Sequence, residues 1–291
     1  MVGGQWSVKT FAAVLAAILF CGTVSTAAEP APPTKRLLLL GQKPDGHPVG
    51  THEYMPGQRI LKEILGRVPG LSVEIVQADD PWTEGPELLA KADGVVLFVS
   101  EGAKWISADP RRYEAFEKLA ARGGGLSVIH WGCGTKDAKN IEPFTRLFGA
   151  CHGGPDRKYK FTDFDVALPT PDQPICSGLK PWQLNEEYYF ALKRSTLAGA
   201  KLTPLAEITN LPDAKTPEER MVSWAYERPD AGRSFGYTGL HYHKNWGREE
   251  CRRLVVQGIA WTMRLEIPAI GLDTKFSPVL LETGTTPASK P

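Results

Sequence analysis

The chain has 291 residues, of which 42% are hydrophobic and 23% are charged, and its formal net charge is +1. This composition is ordinary for a soluble globular protein and excludes the extreme compositional classes. A nearly neutral chain also lacks the basic footprint that nucleic acid or an anionic membrane would require, so small neutral substrates fit it better.

Residues 1–28 have the layout of a secretory signal peptide. Lys9 precedes an uncharged apolar run from Thr10 to Cys21, and the small residues STAA follow, with cleavage expected after Ala27 or Ala28. The run is shorter than the roughly 20 residues of a membrane-spanning helix, which makes a retained anchor the weaker alternative. We therefore predict an exported protein, periplasmic or extracellular, with no stable membrane insertion after cleavage.

A proline-rich leader at residues 29–35 precedes four predicted strands. The segments RLLLLG (36–41) and GVVLFVS (94–100) are apolar on both faces, as central strands of a covered parallel sheet are. LSVEIVQ (71–77) alternates like a half-buried strand, and GLSVIH (125–130) is the fourth. An apolar stripe at residues 60–65, and a segment with Asp109 as N-cap, Pro110 next to it and Gly123 as its stop, predict helices between them. This order predicts a doubly wound α/β sheet.

The second half of the chain predicts an irregular extension of the same sheet. FDVAL, TPLAEI, MVSWAYE and RSFGYTGL look like strands, several of them antiparallel, and a last helix runs from about residue 247 to 265 with one apolar face. Because no repeat or linker interrupts this pattern, we predict one domain over residues 36–270. The polar segment 271–291 is predicted to be a tail that is disordered at its end.

Histidines follow several of the predicted strands, where an open α/β sheet binds its ligands. His130 ends the fourth strand, His47 and His52 lie in the loop after the first, and His241 and His243 end the late strand. Side chains two residues apart in an extended chain point the same way. His241 and His243 therefore predict a shared divalent metal such as zinc, completed by His130 or His52, with one open position. The alternative is that one histidine is only a hydrogen-bonded core residue.

A carboxylate and aromatic rings are predicted at the same edge. Glu186 and Glu187 point in opposite directions in a strand, so only one of them faces the site, as a general base or a ligand. Trp131, Tyr188 and Trp246 would offer flat apolar faces with polar tips, which suits stacking on a sugar ring. Core packing is the alternative for each ring.

The cysteines and the glycine-rich segment predict no separate chemistry. The pairing of Cys133, Cys151, Cys176 and Cys251 is not determined by the sequence. Cys133 lies on a tight turn but lacks the flanking glycines of a nucleophile elbow, which favours a structural or disulfide-bonded cysteine over a thiol enzyme. Glycines 123–125 precede a strand instead of opening a helix, so they predict no phosphate cradle and no nucleotide cofactor.

Four segments together resemble the ThuA-like family, which is named for trehalose utilisation. They are GGGLSVIHWG, NEEYYF, SFGYTGLHYHKNW and LVVQGIAWTMRLEIP, in this order. The long loop DGHPVGTHEY is similar to that of the exported members, and the likeness covers most of residues 36–270. The resemblance implies a flavodoxin-like three-layer sandwich similar to class I glutamine amidotransferases, mostly parallel with extra antiparallel strands in the second half.

The resemblance also carries expectations about the site. In those amidotransferases the nucleophilic cysteine follows the strand matched here by GLSVIH, and His130 stands in its place, which argues against amidotransferase activity. The family is linked to metabolism of trehalose and related disaccharides, including oxidised 3-keto sugars. The matched positions are His52, His130, Glu187, His241 and His243.

We therefore predict an exported enzyme that acts on a small carbohydrate by metal-assisted hydrolysis or by lyase or isomerase chemistry. His130 and Glu187 are the predicted catalytic residues; His52, His241 and His243 the predicted ligands of one divalent metal; and Trp131, Tyr188 and Trp246 the predicted sugar contacts. The main alternative is a non-catalytic periplasmic sugar-binding module that uses the same cleft. A homo-oligomer is compatible with the sequence, which does not determine the oligomeric state.

Overall fold

The computed structural model describes residues 1–5 and 34–282. The predicted signal peptide and leader lie almost entirely outside these described residues, as does the end of the predicted tail. Residues 1–5 contain no helix or strand, and all the described helices and strands lie within residues 34–282.

Twelve strands and seven α-helices make up this part of the chain. The strands are β1 (Lys35–Gly41), β2 (Leu71–Gln77), β3 (Gly94–Phe98), β4 (Gly125–Ile129), β5 (Gly134–Thr135), β6 (Ala150–Gly153), β7 (Lys158–Ala167), β8 (Trp182–Phe190), β9 (Lys193–Arg194), β10 (Lys201–Ile208), β11 (Met221–Glu227) and β12 (Arg233–Tyr237). The α-helices are α1 (Tyr54–Leu65), α2 (Gly85–Ala90), α3 (Gly102–Ala108), α4 (Pro110–Ala121), α5 (Ile141–Phe148), α6 (Pro217–Arg220) and α7 (Glu249–Thr262). Short 3₁₀ helices cover His130–Cys133, Ala138–Asn140, Pro174–Cys176, His243–Gly247 and Pro278–Leu281.

The main sheet has nine strands in the order β2-β1-β3-β4-β12-β11-β10-β7-β8. The strands from β2 to β12 in this order pair in parallel, and each pairing from β12 through β8 is antiparallel. A small second sheet joins β5, β6 and β9. The prediction of a parallel sheet extended by antiparallel strands from the second half of the chain is confirmed.

Helices cover both faces of the sheet because its central strands are apolar on both sides. In β1, Leu37 and Leu39 belong to one buried core, with α1 and α7, whereas Leu38 and Leu40 belong to the other, with α2 to α5. A strand that buries alternate residues in two cores must read as an unbroken apolar run. The fold is thus a three-layer α/β sandwich with a flavodoxin-like arrangement.

The helix signals in the sequence correspond to real helix ends. The Asp109 side chain accepts a hydrogen bond from the backbone nitrogen of Arg111, at 2.9 Å, and so caps α4. Gly123, just after this helix, has a φ of +79°, which a residue with a Cβ adopts only with strain. The last helix, α7, is shorter than predicted, since it spans Glu249–Thr262 and not residues 247–265.

Strands β7 and β8 leave the sheet as a two-stranded ribbon. β7 pairs with β10 only at Val166 and Ala167, but it pairs with β8 along nearly its whole length. The ribbon reaches the carboxyl edge of β12, where the Thr238 hydroxyl donates to the Tyr189 carbonyl at 3.0 Å. The register places Phe161 opposite Glu187 and Tyr159 opposite Tyr189, so these four side chains share one face.

The beginning of the predicted tail packs onto the domain. Leu272, Phe276 and Leu280 lie against the core that contains α1 and α7. The Arg252 guanidinium also donates to the Thr274 carbonyl at 2.7 Å. The packed part of the domain therefore continues to about residue 282, beyond the predicted boundary at residue 270.

The four cysteines of the described residues are free thiols, and all four are buried. The disulfide alternative for Cys133 is therefore wrong, and a structural role remains. Burial raises the pKa of the Cys133 thiol to about 12, which removes the thiolate that a nucleophile needs. Among the described helices, none combines the length and the apolar character needed to cross a bilayer.

Candidate metal centre and its cavity

Three segments deliver histidines to the carboxyl edge of the sheet. β4 and β12 are parallel neighbours, so His130, directly after β4, and His241, four residues after β12, emerge at the same edge. The loop after β1 joins them through backbone pairing: His52 donates its N–H to the His241 carbonyl at 3.0 Å, and His243 donates to Gly50 at 2.8 Å. The loop that carries His52 is thus fastened to the segment that carries His241.

The imidazoles and one carboxylate meet within hydrogen-bonding distance. Nε2 of His130 lies 3.1 Å from Nε2 of His52 and 3.2 Å from Nδ1 of His241. Oε2 of Glu187 lies 2.8 Å from Nδ1 of His241 and 3.5 Å from Nε2 of His130. All four side chains are buried, and His130 is fully so. We call these four residues the histidine cluster.

Hydrogen bonds on the outer side of two rings determine where their lone pairs point. Nδ1 of His130 donates to the Thr238 carbonyl at 2.7 Å, and Nδ1 of His52 donates to the Asp45 carboxylate at 3.1 Å. In a neutral imidazole the other nitrogen then carries a lone pair. The Nε2 atoms of His130 and His52 therefore face each other with lone pairs at 3.1 Å, an arrangement that a cation between them would stabilise.

Burial keeps these rings neutral. Desolvation, followed by the neighbouring rings of His52 and His241, holds the pKa of His130 well below its usual value. Desolvation also lowers the pKa of His52, although Asp45 opposes the shift. Because metals bind neutral imidazole, both rings are in the ligating form at neutral pH.

The cluster fits the requirements of a metal site. Nitrogen and oxygen ligands about 2.0–2.2 Å from one zinc ion lie roughly 3.0–3.5 Å from one another, depending on the bond angle. Nearly all the contacts within the histidine cluster match this range, and the donor atoms of His52, His130, Glu187 and His241 all lie within 4.8 Å of one another. These residues could therefore hold one metal ion.

Asp45 supports the cluster from behind. Its carboxylate accepts hydrogen bonds from the hydroxyls of Tyr54 at 2.7 Å and Ser100 at 3.0 Å, besides that from His52. Burial opposes ionisation, but hydrogen bonds from His52, Tyr54 and His47 still hold the pKa of Asp45 well below its usual range. A carboxylate that orients a ligating imidazole is a common outer partner in metal sites.

The backbone around the cluster is unusual. His52 and His130 have φ values of +51° and +49°, and Leu240, next to His241, has +72°. Such conformations cost about 1–3 kcal/mol each in residues other than glycine, and they concentrate at functional sites. All three flank or belong to the histidine cluster, which supports a functional role for this edge.

A cavity of about 250 Å³ lies over the histidine cluster. Its walls are formed by His47, His52, Trp131, Lys136, His152, Arg157, Tyr159, Phe161, Glu187, Tyr189 and His241. The Tyr189 hydroxyl lies 2.9 Å from Nε2 of His130, and the ring of His152 stacks on that of Tyr189 with centroids 3.9 Å apart. Burial lowers the pKa of His152 to about 3, so this imidazole is neutral as well.

A wider cavity of about 620 Å³ adjoins the first. The two share His47, Phe161 and His241, and the wider one is otherwise lined by the loop at residues 48–51 and by Tyr242, Lys244 and Leu281. A ligand longer than one ring could therefore extend from the first cavity into the second.

His243 lies outside the histidine cluster, contrary to the prediction. β12 ends at Tyr237, and a 3₁₀ helix begins at His243, so residues 241 and 243 do not share an extended strand. Nε2 of His243 donates to the Leu280 carbonyl at 2.7 Å instead. The prediction that His241 and His243 share an ion is wrong, because the turn into the helix rotates the second ring away.

Two of the three predicted sugar-binding rings are also misplaced. Tyr188 is fully buried and hydrogen-bonded to Tyr237 at 2.7 Å, because strand alternation puts it on the face of β8 opposite Glu187. Trp246 is fully buried and packs 6.4 Å from the ring of Phe98. Both predictions are wrong, whereas Trp131 does line the cavity.

Several residues of the site were not predicted. One is Asp45, which binds His52 from outside the cavity, and the others are the cavity residues Lys136, His152, Arg157, Tyr159, Phe161 and Tyr189. One of them was within reach of the sequence. The alternation that separates Glu186 from Glu187 also places Tyr189, and not Tyr188, on the side of Glu187. Tyr159 and Phe161 depend on the register of β7 against β8, and no sequence signal gives that register.

Comparison with known proteins places the chain in a family. The family model described as ThuA, trehalose utilisation, matches residues 46–262. Among solved structures, a putative ThuA-like protein from Bacteroides uniformis is 15% identical with a TM-score of 0.60, covering 83% of this chain and 95% of its own. Another from Parabacteroides merdae is 15% identical with a TM-score of 0.57, covering 80% and 90%.

At these identities the two structures establish a shared fold, while the family assignment depends on the family model. No curated protein is detectably similar in sequence. The matched segment contains every residue of the histidine cluster and most of the nine-stranded sheet. The chain therefore belongs to the ThuA family, which suggests a role related to trehalose utilisation.

Proposed function

We propose that the protein is an exported, metal-dependent enzyme that acts on a carbohydrate, with trehalose-related or 3-keto disaccharides as the substrate class. The observation that carries this proposal is the histidine cluster at the floor of an aromatic cavity. Three imidazoles, of which burial keeps His52 and His130 neutral, and one carboxylate bring their donor atoms together, and the cavity connects them to solvent.

His52, His130 and His241 are the proposed metal ligands, as in catalytic zinc sites with three protein ligands. A divalent ion there would polarise a sugar oxygen or lower the pKa of a water molecule. The surrounding burial excludes bulk water and strengthens electrostatic interactions within the site.

Glu187 is the proposed general base. Its carboxylate is 5% exposed and lines the cavity, within reach of a bound sugar or a water molecule. It can take a proton from water in a hydrolysis, or from a carbon next to a keto group in an elimination or isomerisation. The Tyr189 hydroxyl, on the same face of β8, can donate a hydrogen bond to a substrate oxygen.

The walls of the cavity suit a sugar. Trp131, Tyr159 and Phe161 offer aromatic faces, and the polar groups of His152 and Tyr189 lie among them. Aromatic rings stack on the apolar faces of sugars while nearby polar groups bind the hydroxyls. The adjoining cavity has room for a second ring, which supports a disaccharide over a monosaccharide.

Export is proposed from the sequence of residues 1–28 alone, with its single cation, apolar run and small residues before Ala28. The family description supports carbohydrate metabolism as the context. The proposed location is the periplasm or the extracellular space.

The test is product analysis on metal-loaded protein. Wild type and Glu187→Gln are incubated with trehalose, related disaccharides and their 3-keto derivatives, and the products are separated by chromatography. We expect turnover by the wild type and at least a 100-fold slower reaction by Glu187→Gln, since a positioned base contributes about 10²–10⁴-fold. Metal content must be equal in both proteins, so that the difference reports the base.

A different result would favour a non-catalytic role. If calorimetry shows tight binding of a disaccharide and no product appears after long incubation, the protein is a sugar-binding module and the proposed enzyme activity is wrong. Equal turnover by wild type and Glu187→Gln would contradict only the proposed role of Glu187 as general base, and not the enzyme activity.

A further inference from the structure

Two cationic side chains line the cavity over the histidine cluster and are not used by the proposed chemistry. Lys136 lies in the loop after β5, and Arg157 lies just before β7. Nη1 of Arg157 donates to the Gly154 carbonyl at 3.1 Å, which holds the guanidinium at the cavity wall. Burial is the main cause of the lowered pKa of His152, and the positive charge of Arg157 is the second cause. The charge of Arg157 therefore acts on a residue of the cavity wall.

The acids nearest to these cations are committed to other partners. Glu101 binds the backbone N–H of Lys136 at 2.8 Å and the ammonium of Lys104 at 3.4 Å. Asp137, next to Lys136, pairs with Lys139 at 2.9 Å.

The acid beside Arg157 is committed too, since Asp156 pairs with Lys193 at 2.5 Å. Within residues 34–282, neither Lys136 nor Arg157 forms an ion pair. Glu187 is the one acid among the described residues that line the cavity, and it contacts His130 and His241.

We propose that Lys136 and Arg157 bind an anionic substituent of the substrate, so that the preferred carbohydrate is an acidic sugar. The substituent is a carboxylate, as in a uronic acid, or a phosphate ester. A cavity that presents two cations without counterions attracts an anion, and arginine matches the planar geometry of carboxylate and phosphate oxygens. This inference rests on the proposed carbohydrate site and narrows its substrate class.

The two cations and the catalytic groups come from different elements of the fold. The cations come from the loop after β5 and the start of β7, whereas the histidine cluster comes from loops after β1, β4 and β12 and from β8. A sugar that places its anionic group on Lys136 and Arg157 can present another part of its ring to Glu187. The aromatic side chains of Trp131 and Phe161 would contact the faces of the ring.

The test is calorimetry with glucuronic acid, glucose 6-phosphate and glucose. Each sugar is titrated into the wild type, Lys136→Gln, Arg157→Gln and the control Lys139→Gln, whose exposed lysine lies three residues from Lys136. Every titration is made with zinc-loaded and with metal-free protein, because a carboxylate or phosphate can also bind a metal directly.

We expect at least one of the two acids to bind the wild type at least tenfold more tightly than glucose, in both metal states. Lys136→Gln and Arg157→Gln should each weaken that acid at least fivefold, leave glucose unchanged and flatten the salt dependence of binding. Lys139→Gln should behave as the wild type. If glucuronic acid shows this behaviour, the substituent is a carboxylate, and if glucose 6-phosphate shows it, the substituent is a phosphate ester.

Two outcomes would overturn the inference. One is that glucose binds as tightly as both acids. The other is that the acids keep their advantage in Lys136→Gln and Arg157→Gln. Metal content and turnover are measured on the same samples, so that a failure of this inference can be distinguished from a failure of the proposed function. Anion preference without metal or product would contradict only the enzyme, and turnover of neutral sugars without anion preference would contradict only the inference.

Discussion

This protein has four pairs of like residues in which one member lines the cavity while the other does not. The open set is Glu187, Tyr189, His241 and Trp131, and the closed set is Glu186, Tyr188, His243 and Trp246. Residue type is the same on both sides. What differs is whether the side chain is already enclosed or hydrogen-bonded by neighbouring residues of the fold.

Glu186 and Glu187 show the difference most clearly. The carboxylate of Glu186 accepts from the backbone N–H groups of Leu240 and Glu187, both at 2.8 Å, and from the Asn245 amide at 2.9 Å. Glu187 instead faces His130 and His241, with its Oε2 3.5 Å from Nε2 of His130 and 2.8 Å from Nδ1 of His241. A carboxylate fully used by fixed donors stabilises the fold, whereas one that faces convergent ligands can bind or react.

The largest expected effect on stability separates the two tryptophans. Trp246→Ala should lower the free energy of unfolding by about 3–5 kcal/mol, because a large ring leaves a cavity in the closed core. The metal affinity of the folded protein should stay the same. Trp131→Ala should cost less stability, since this ring borders an existing cavity, and should weaken sugar binding. Denaturant unfolding and calorimetry measure both, and a reversed order of stability would contradict the assignment.

The second-largest difference in stability is expected between variants of Glu186 and Glu187. Glu186→Gln turns an amide N–H toward donors that the carboxylate now satisfies, so unfolding should become easier by about 1–3 kcal/mol. Glu187→Gln should change stability less. Urea denaturation of the two metal-free variants gives the comparison, and equal destabilisation would mean that Glu187 is as structural as Glu186.

The pH dependence of stability tests how well the cavity wall at His152 is shielded from water. Burial, and then Arg157, lower the pKa of His152 to about 3. Below pH 6.5 the imidazole of His152 binds a proton in the unfolded chain but not in the folded chain. The free energy of unfolding therefore falls as the pH drops from 6.5 toward 3.

His152→Phe removes this contribution and keeps a ring against Tyr189. Between pH 6.5 and 5, the metal-free wild type should lose up to about 1.4 kcal/mol per pH unit more than the variant. Burial remains the largest cause of the lowered pKa values of His52 and His130 in both proteins, so the difference reports the loss of His152 and its smaller effect on His130. Parallel pH curves for the wild type and His152→Phe would show that the imidazole is accessible to protons in the folded state.

The tyrosines should show the smallest change in stability. Tyr188→Phe removes the hydrogen bond to the Tyr237 hydroxyl and should cost about 0.5–1.5 kcal/mol without affecting turnover. Tyr189→Phe removes a hydroxyl from the cavity and should lower kcat at similar stability. Thermal unfolding and steady-state kinetics of both variants test this, and a loss of turnover in Tyr188→Phe would break the separation.

Local signals in the sequence were sufficient for the first half of the fold. The two-faced leucine run of β1, the Asp109 cap and Gly123 each act within a few residues, so strand, helix and helix end could be predicted. The rule that ligands collect beyond parallel strands then brought His52, His130 and His241 together correctly.

Long-range geometry accounts for what the sequence missed. The register of the β7–β8 ribbon brings Tyr159 and Phe161 to the cavity. This register depends on how the two strands pair with each other. The turn after His241 depends on backbone bonds to the distant loop at residues 50–52. Neither leaves a periodic pattern in the sequence, which is why Tyr159 and Phe161 were missed and His243 was misplaced. Tyr188 is a different case, because strand alternation alone separates it from Glu187.

The most direct test of the histidine cluster is the zinc content of His241→Ala beside the matched variant His243→Ala. The proteins are stripped with a chelator, incubated with zinc, desalted and measured by elemental analysis, with circular dichroism confirming that each is folded. We predict one zinc per chain for the wild type and for His243→Ala, and none for His241→Ala. A wild type that retains no zinc, or a His243→Ala variant that loses it as His241→Ala does, would contradict a metal centre built from His52, His130 and His241.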